Sequence, residues 1–147
     1  MIRLFGFFLL ATSTALANAE GMKDPESWYR NDYAVLWADN PAKNIDELRT
    51  FYADVILTHD SGGEVSSEPQ QTWLIEPMQA WLAEGWQKAV LVDLQVHPIN
   101  ASTVAFTARW TDYYDGGAAE ASCGWYLADA MIGEWVFTEY ADTVCPE

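Results

Sequence analysis

Positive charge is scarce in this chain of 147 residues: seven Lys and Arg stand against 22 Asp and Glu, a formal net charge of −15. Phosphate-rich surfaces need the opposite sign, so nucleic acid and anionic membranes are excluded as partners. Histidine and cysteine are equally thin. His59 and His97 share no metal-ligand spacing with Cys123 and Cys145, two thiols alone do not make a zinc site, and no metal or cofactor is expected. Past the N-terminus no apolar run approaches the ~20 residues that cross a bilayer as a helix. Internal repeats and low-complexity tracts are missing as well.

The start of the chain has the three parts of a secretory signal: a basic residue at Arg3, an apolar run over Leu4 to Leu10, and the small-residue site Ala17-Asn18-Ala19. Thr12, Ser13 and Thr14 break the run too early for an anchor. The expected division is a signal peptide over 1–19 and a single domain over 20–147, secreted or periplasmic. Cleavage removes only Arg3 among the charged groups, leaving the mature chain one unit more negative. In an oxidising compartment Cys123 and Cys145 pair by default, which would stabilise the fold by roughly 3 kcal/mol. Should the last hairpin turn near Met131 and Ile132, Cys123 faces about Tyr140, and Cys145 has to curl back to reach it.

Downstream, the hydrophobic period changes from helical to alternating. Asp24 and Pro25 suit a helix start, and Tyr29, Tyr33, Leu36 and Trp37 recur on one face up to Asn40-Pro41. Asn44, with Glu47 three residues on, reads as a capping box for a second helix carrying Ile45, Leu48, Phe51 and Tyr52, ending near Asp54. Val55 to Asp60 is a short strand, Ser61-Gly62-Gly63 a turn, and Glu64 to Ser66 its partner. A third helix spans about Pro69 to Glu84, kinked or restarted at Pro77 and closed by Gly85.

Four strands follow. Ala89 to His97 alternates, placing Val90, Val92, Leu94 and Val96 on one face; Thr103 to Tyr113 places Val104, Phe106, Ala108 and Trp110 on one face and Thr103, Thr107, Arg109 and Thr111 on the other. Glu120 to Ala128 and Glu134 to Asp142 complete the set, joined through Gly133. Three helices followed mainly by antiparallel strands make an α+β layout.

In this order the chain resembles the nuclear transport factor 2-like superfamily, in its polyketide-cyclase-like (SnoaL-like) branch. The residues that carry the likeness are Phe51-Tyr52-Ala53-Asp54-Val55, Ser61-Gly62-Gly63-Glu64-Val65, Trp81-Leu82-Ala83-Glu84-Gly85-Trp86 and Gly133-Glu134-Trp135-Val136-Phe137, and they span nearly the whole mature domain. The resemblance implies a cone: three N-terminal helices close one side of a strongly curved, mainly antiparallel sheet and leave a cavity at the wide end. Proteins of this superfamily use that cavity for isomerisation, dehydration, epoxide hydrolysis, cyclisation or binding, or serve as dimerisation modules, so the fold does not choose among functions.

If the apolar side of each strand looks inward, the pocket wall includes Val92, Leu94, Phe106, Trp110, Trp125 and Phe137, with Glu139 on the same parity as Trp135. Trp28, Trp37, Trp73 and Trp81 read as helix core. His59 alternates with Val55 and Leu57, so it reaches the cavity if those two are buried, where it could exchange a proton with Glu139 or Asp60. The catalytic sets of the superfamily's isomerases, dehydratases and hydrolases do not map residue by residue onto this chain. Three uses stay open: binding of a small, mostly apolar ligand by an aromatic-lined cavity; proton-transfer catalysis by His59 with a carboxylate; and a homodimer formed through the face bearing Thr103, Thr107, Arg109 and Thr111.

Overall fold

The structure is a computed structural model and describes residues 21–146; the expected signal peptide lies outside the described residues. Helix α1 (Pro25–Trp28) starts where the sequence predicts, with the Asp24 carboxylate accepting the Ser27 N–H at 2.9 Å and proline in the first turn. It continues through a π-helical segment, Tyr29–Tyr33, into α2 (Ala34–Asp39). The wider π turn adds a residue to the helical cycle, so Trp28, Tyr29, Tyr33, Ala34 and Trp37 are all buried. Trp28, read as helix core although outside the three-four stripe, is among them.

The second helix is shorter than its sequence pattern suggests. Only α3 (Ile45–Arg49) is helical; Asn44 does not cap it but donates its amide to the Leu36 carbonyl at 3.1 Å, and Tyr52 already belongs to strand β1 (Tyr52–His59). Strand β2 (Val65–Pro69) returns antiparallel across a turn in which Asp60 Oδ1 accepts the N–H groups of Gly62 and Glu64, each at 2.8 Å. The third helix begins as a π turn, Gln71–Ile75, and becomes regular only at α4 (Glu76–Ala83). Pro77 therefore sits at the start of α4, directly after the wider π turn. Gly85, at φ 92°, turns the chain into the sheet.

Strands β3 (Trp86–Asn100), β4 (Thr103–Tyr114), β5 (Ala119–Met131) and β6 (Glu134–Asp142) form an antiparallel meander. β6 pairs parallel with β1, giving the order β2-β1-β6-β5-β4-β3. The helices cover one face. At its centre Trp28 and Tyr33 pack on Phe137 with ring centroids 4.8 and 4.9 Å apart, and Tyr29 packs on Phe106 at 4.8 Å. Burying such rings removes large apolar areas from water, and the tilted and edge contacts add to this. Between residues 131 and 134 the chain reverses in two residues, with Ile132 at φ 51° and Gly133 at φ 82°.

Four one-residue shifts interrupt the pairing of the meander, and two of them move expected site residues. On β3 the pairing runs from Leu91 opposite Trp110 directly to Asp93 opposite Arg109, leaving Val92 as an extra residue and 56% exposed. On β6 it runs from Phe137 opposite Ala128 to Glu139 opposite Leu127, leaving Thr138 extra. Each bulge moves the following side chains to the opposite face. Val92 and Glu139 therefore leave the inner wall on which strict alternation puts them, and Val90, opposite Thr111, is on the outer face.

The β5–β6 register also corrects the expected path of the disulfide. The tight reversal at Ile132-Gly133 and the Thr138 bulge bring Gly124 opposite Asp142, so Cys123 lies level with Thr143, whose N–H bonds its carbonyl at 3.0 Å. Cys145 has only two residues to cross. The Cys123–Cys145 disulfide closes with the α-carbons 5.2 Å apart.

Candidate functional site

Between α2, α4 and the inner face of the sheet lies a cavity of about 560 Å³, open at the wide end. That volume suits a small organic molecule. Its deep wall is aromatic: Tyr33 and Trp37 from the first helical stretch, Tyr52 from β1, Trp73 from the π turn, Trp110 from β4, and Tyr126 from β5 with Tyr140 from β6. Each is placed by a local feature described above. The π segment turns Tyr33 inward together with Tyr29, the early end of α3 frees Tyr52 to enter the strand, and the Thr138 bulge exchanges Glu139 for Tyr140.

Gly124 is what lets the last two rings approach. A methyl group there would sit 3.0 Å from Cε2 of Tyr126 and 3.0 Å from Cε2 of Tyr140, whose centroids are 5.0 Å apart. The Tyr33 and Tyr52 hydroxyls are hydrogen-bonded to each other. Burial drives the phenol pKa values of Tyr29, Tyr33, Tyr52 and Tyr140 well up, and that of Tyr126 to about 12, so the cluster is neutral.

Three indole N–H groups on this wall, those of Trp37, Trp73 and Trp110, are buried and make no hydrogen bond of good geometry among the described residues. Trp37 lies beside the Tyr52 hydroxyl and Trp110 beside that of Tyr126, close enough to favour the phenolates slightly. A buried donor left unsatisfied costs about 1–3 kcal/mol.

The residues expected to form the site are scattered by this geometry. Trp110 lines the cavity. Leu94, Phe106 and Phe137 point inward but are consumed by core packing and do not reach the cavity wall. Trp125 is a correction: it pairs with Ala141 and Thr107 on the outer face, and its neighbour Tyr126 occupies the inner position. Trp37, Trp73 and Trp81, read as plain core, line the cavity.

The environment of His59 differs from the one that burial of Val55 and Leu57 would give. Val55 and Leu57 are 53% and 39% exposed, while Ile56 and Thr58 face inward, so the imidazole stands on the outer face with Trp125 at a centroid distance of 6.3 Å. There its Nε2 lies 3.0 Å from Oε2 of Glu139. The two residues meet, but only His59 borders the cavity, at its rim. Asp60 lies on the rim with Oδ1 occupied by the turn. Among the described residues no three His, Cys, Asp or Glu side chains converge as a metal would require.

No family model and no curated protein matches the chain. Solved structures do. A nuclear transport factor 2-like protein of unknown function in nutrient uptake from Rhodospirillum rubrum aligns over 84% of this chain and 100% of its own at 19% identity, TM-score 0.59. A nuclear transport factor 2-like protein of unknown function from Shewanella oneidensis aligns over 88% and 93% at 11% identity, TM-score 0.56. A hypothetical protein with a ketosteroid isomerase-like fold from Catenulispora acidiphila, in complex with trimethylamine, aligns over 83% and 87% at 18% identity, TM-score 0.51. The fold is thus nuclear transport factor 2-like, an α+β cone of helices on a mostly antiparallel sheet.

Proposed function

We propose that the mature chain, residues 20–147, is an exported small-molecule-binding domain that holds a mostly apolar ligand in the cone cavity. The observation that carries this reading is the aromatic wall of the 560 Å³ cavity, with polar groups such as Thr58 and Ser122 on the same lining. Flat apolar surface supplies affinity and a few donors supply orientation. Export is supported by the Cys123–Cys145 disulfide, which persists outside the reducing cytoplasm, and by the signal-like residues 1–19. The neutral dye N-phenyl-1-naphthylamine tests the reading. One equivalent should bind with a blue shift, and Ser122→Trp, which fills an exposed position on the inner face beside Trp110, should abolish it. Absence of saturable one-to-one binding would end it.

The contact between His59 and Glu139 favours a second reading, proton-transfer catalysis, because a hydrogen-bonded imidazole and carboxylate can relay a proton. Their face argues against it: the inner positions of the same strands are Thr58 and Tyr140. That outer face, with Val55 and Leu57 exposed beside the dyad, is also the surface a homodimer would cover. Light scattering at high protein concentration separates that use from the first.

A further inference from the structure

Two helical stretches cover the cavity side of the sheet, and they are held to it differently. The first, Pro25–Asp39, is tied down by polar contacts as well as by its rings: the Tyr33 hydroxyl is bonded to that of Tyr52, Arg30 reaches the Leu94 carbonyl at 3.5 Å, and the Leu36 carbonyl accepts the Asn44 amide at 3.1 Å. Trp28, Tyr29, Tyr33, Ala34 and Trp37 are all buried under it. The second, the π turn Gln71–Ile75 with α4, buries only Leu74 and Met78. Among the described residues, no hydrogen bond or ion pair joins Gln71–Glu84 to anything beyond its own helix and the residues that flank it. Apolar contact alone holds this segment down.

Its two ends, by contrast, are fixed. Gln70, immediately before it, is buried: Nε2 lies 3.0, 2.9 and 3.1 Å from the carbonyl oxygens of Arg49, Tyr52 and Ala53, and Oε1 accepts the Arg49 Nε–H at 3.1 Å. At the far end the Gly85 carbonyl accepts the Asp115 N–H at 2.7 Å, and Trp86 is buried with its indole N–H on Asp112 Oδ1 at 2.9 Å. Slack lies just inside these anchors. Gly85, at φ 92°, has backbone angles open to it that other residues lack, and the π turn holds one residue more than an α turn. A segment fastened at both ends and loosely held between them can move as a unit about those ends.

The same segment covers the cavity. Trp73, Pro77 and Trp81, four apart in sequence, line it together with Leu74. Swinging the segment outward uncovers Leu74 and Met78 and breaks no hydrogen bond to the sheet, whereas lifting the first stretch would uncover its whole aromatic stripe and break its polar ties. We propose that Gln71–Glu84 is a lid: it swings about Gln70 and Gly85 to admit a ligand to the cone cavity, and the ligand's contacts with Trp73, Pro77 and Trp81 draw it shut. A ligand that touches these three residues only in the closed state binds that state better and shifts the lid toward it. This rests on the binding role proposed above and names the gate of that site.

Amide hydrogen exchange of the wild-type mature protein, read by nuclear magnetic resonance, tests it. Relative to their unstructured rates, the α4 amides should exchange about tenfold or more faster than those of α2, with little dependence on low urea, because local opening exposes little surface. Equal protection and equal urea dependence in the two helices would overturn the lid. Saturating N-phenyl-1-naphthylamine should slow α4 exchange about tenfold, and bound dye that leaves it unchanged would overturn the lid as well. Trp81→Ala, at a half-exposed position, separates a gate from a mere contact. Stopped-flow fluorescence should show both dye entry and dye release quickened by about threefold or more, since the open fraction rises. Faster release with unchanged entry would mean that Trp81 only touches the dye, and would overturn gating. Local opening of α4 with no saturable dye binding would overturn the binding role rather than the hinged motion.

Discussion

Replacing Gly124 with alanine tests whether the cavity wall is as tightly specified as it looks. The added methyl carbon would lie 3.0 Å from ring carbons of both Tyr126 and Tyr140 and 3.2 Å from the Tyr126 hydroxyl oxygen, where van der Waals contact begins near 3.4 Å. Both rings must retreat by a few tenths of an ångström. Tyr126 has nowhere easy to go, because Phe137 at 5.2 Å, Tyr29 at 5.7 Å and Tyr140 at 5.0 Å enclose it. Overpacking of this kind costs about 1–3 kcal/mol. For a domain of this size the melting temperature should fall by about 5–10 °C. Thermal and urea unfolding followed by circular dichroism reads the effect. A second measurement separates steric strain from any backbone effect of the new side chain: in a Tyr140→Leu background the same substitution should cost less than half as much, since one of the two clashing rings is gone. A Gly124→Ala protein as stable as the wild type, or an equal cost in both backgrounds, would show that the rings are not fixed by the glycine.

Three further outcomes follow from single features. Ile132, fully exposed at φ 51°, holds a β-branched side chain in the left-handed region, so Ile132→Asn should stabilise the hairpin by roughly 1 kcal/mol and raise the melting temperature by about 3–5 °C; no gain would mean that the turn is not strained. Cys145→Ser should lower stability by about 3 kcal/mol, and intact-mass measurement before and after reduction should show two added hydrogen atoms in the wild type alone. The buried phenols set the alkaline limit. Because Tyr29, Tyr33, Tyr52, Tyr126 and Tyr140 are held neutral in the native state and ionise freely when unfolded, their contribution is complete below about pH 10 and is lost as pH climbs from there through the native values, about 12 for Tyr126. Tyrosinate absorbance should therefore appear in step with unfolding; early titration of most of these phenols in the folded protein would contradict their burial.

The pattern of polar and apolar residues was a sound guide wherever the strand kept its regular pleat. On β4 the alternation placed Trp110 inward and Thr107 and Arg109 outward, as found, because every residue from Thr103 to Tyr113 pairs without interruption with β5. It misled at Val92 and Glu139, where a bulge adds one residue and reverses everything after it. It carried no information at Val55-Ile56-Leu57, since three apolar residues in a row look the same from both faces. Trp125 and Tyr126 posed the same difficulty: adjacent aromatics of similar bulk, only one of which can enter the cone.

Order of elements, acidity, the cysteine pair and the resemblance to a cone-shaped fold were written in the chain itself, because they depend on local spacing and composition. Which face each aromatic residue presents was settled only by strand pairing. Bulges at Val92 and Thr138 and the π turns at Tyr29–Tyr33 and Gln71–Ile75 relieve mismatches between distant segments, and no local pattern encodes them. The site is built from those mismatches: Tyr140 in place of Glu139, Tyr126 in place of Trp125, and Tyr33 and Trp73 turned inward from helices that would otherwise have used them as core.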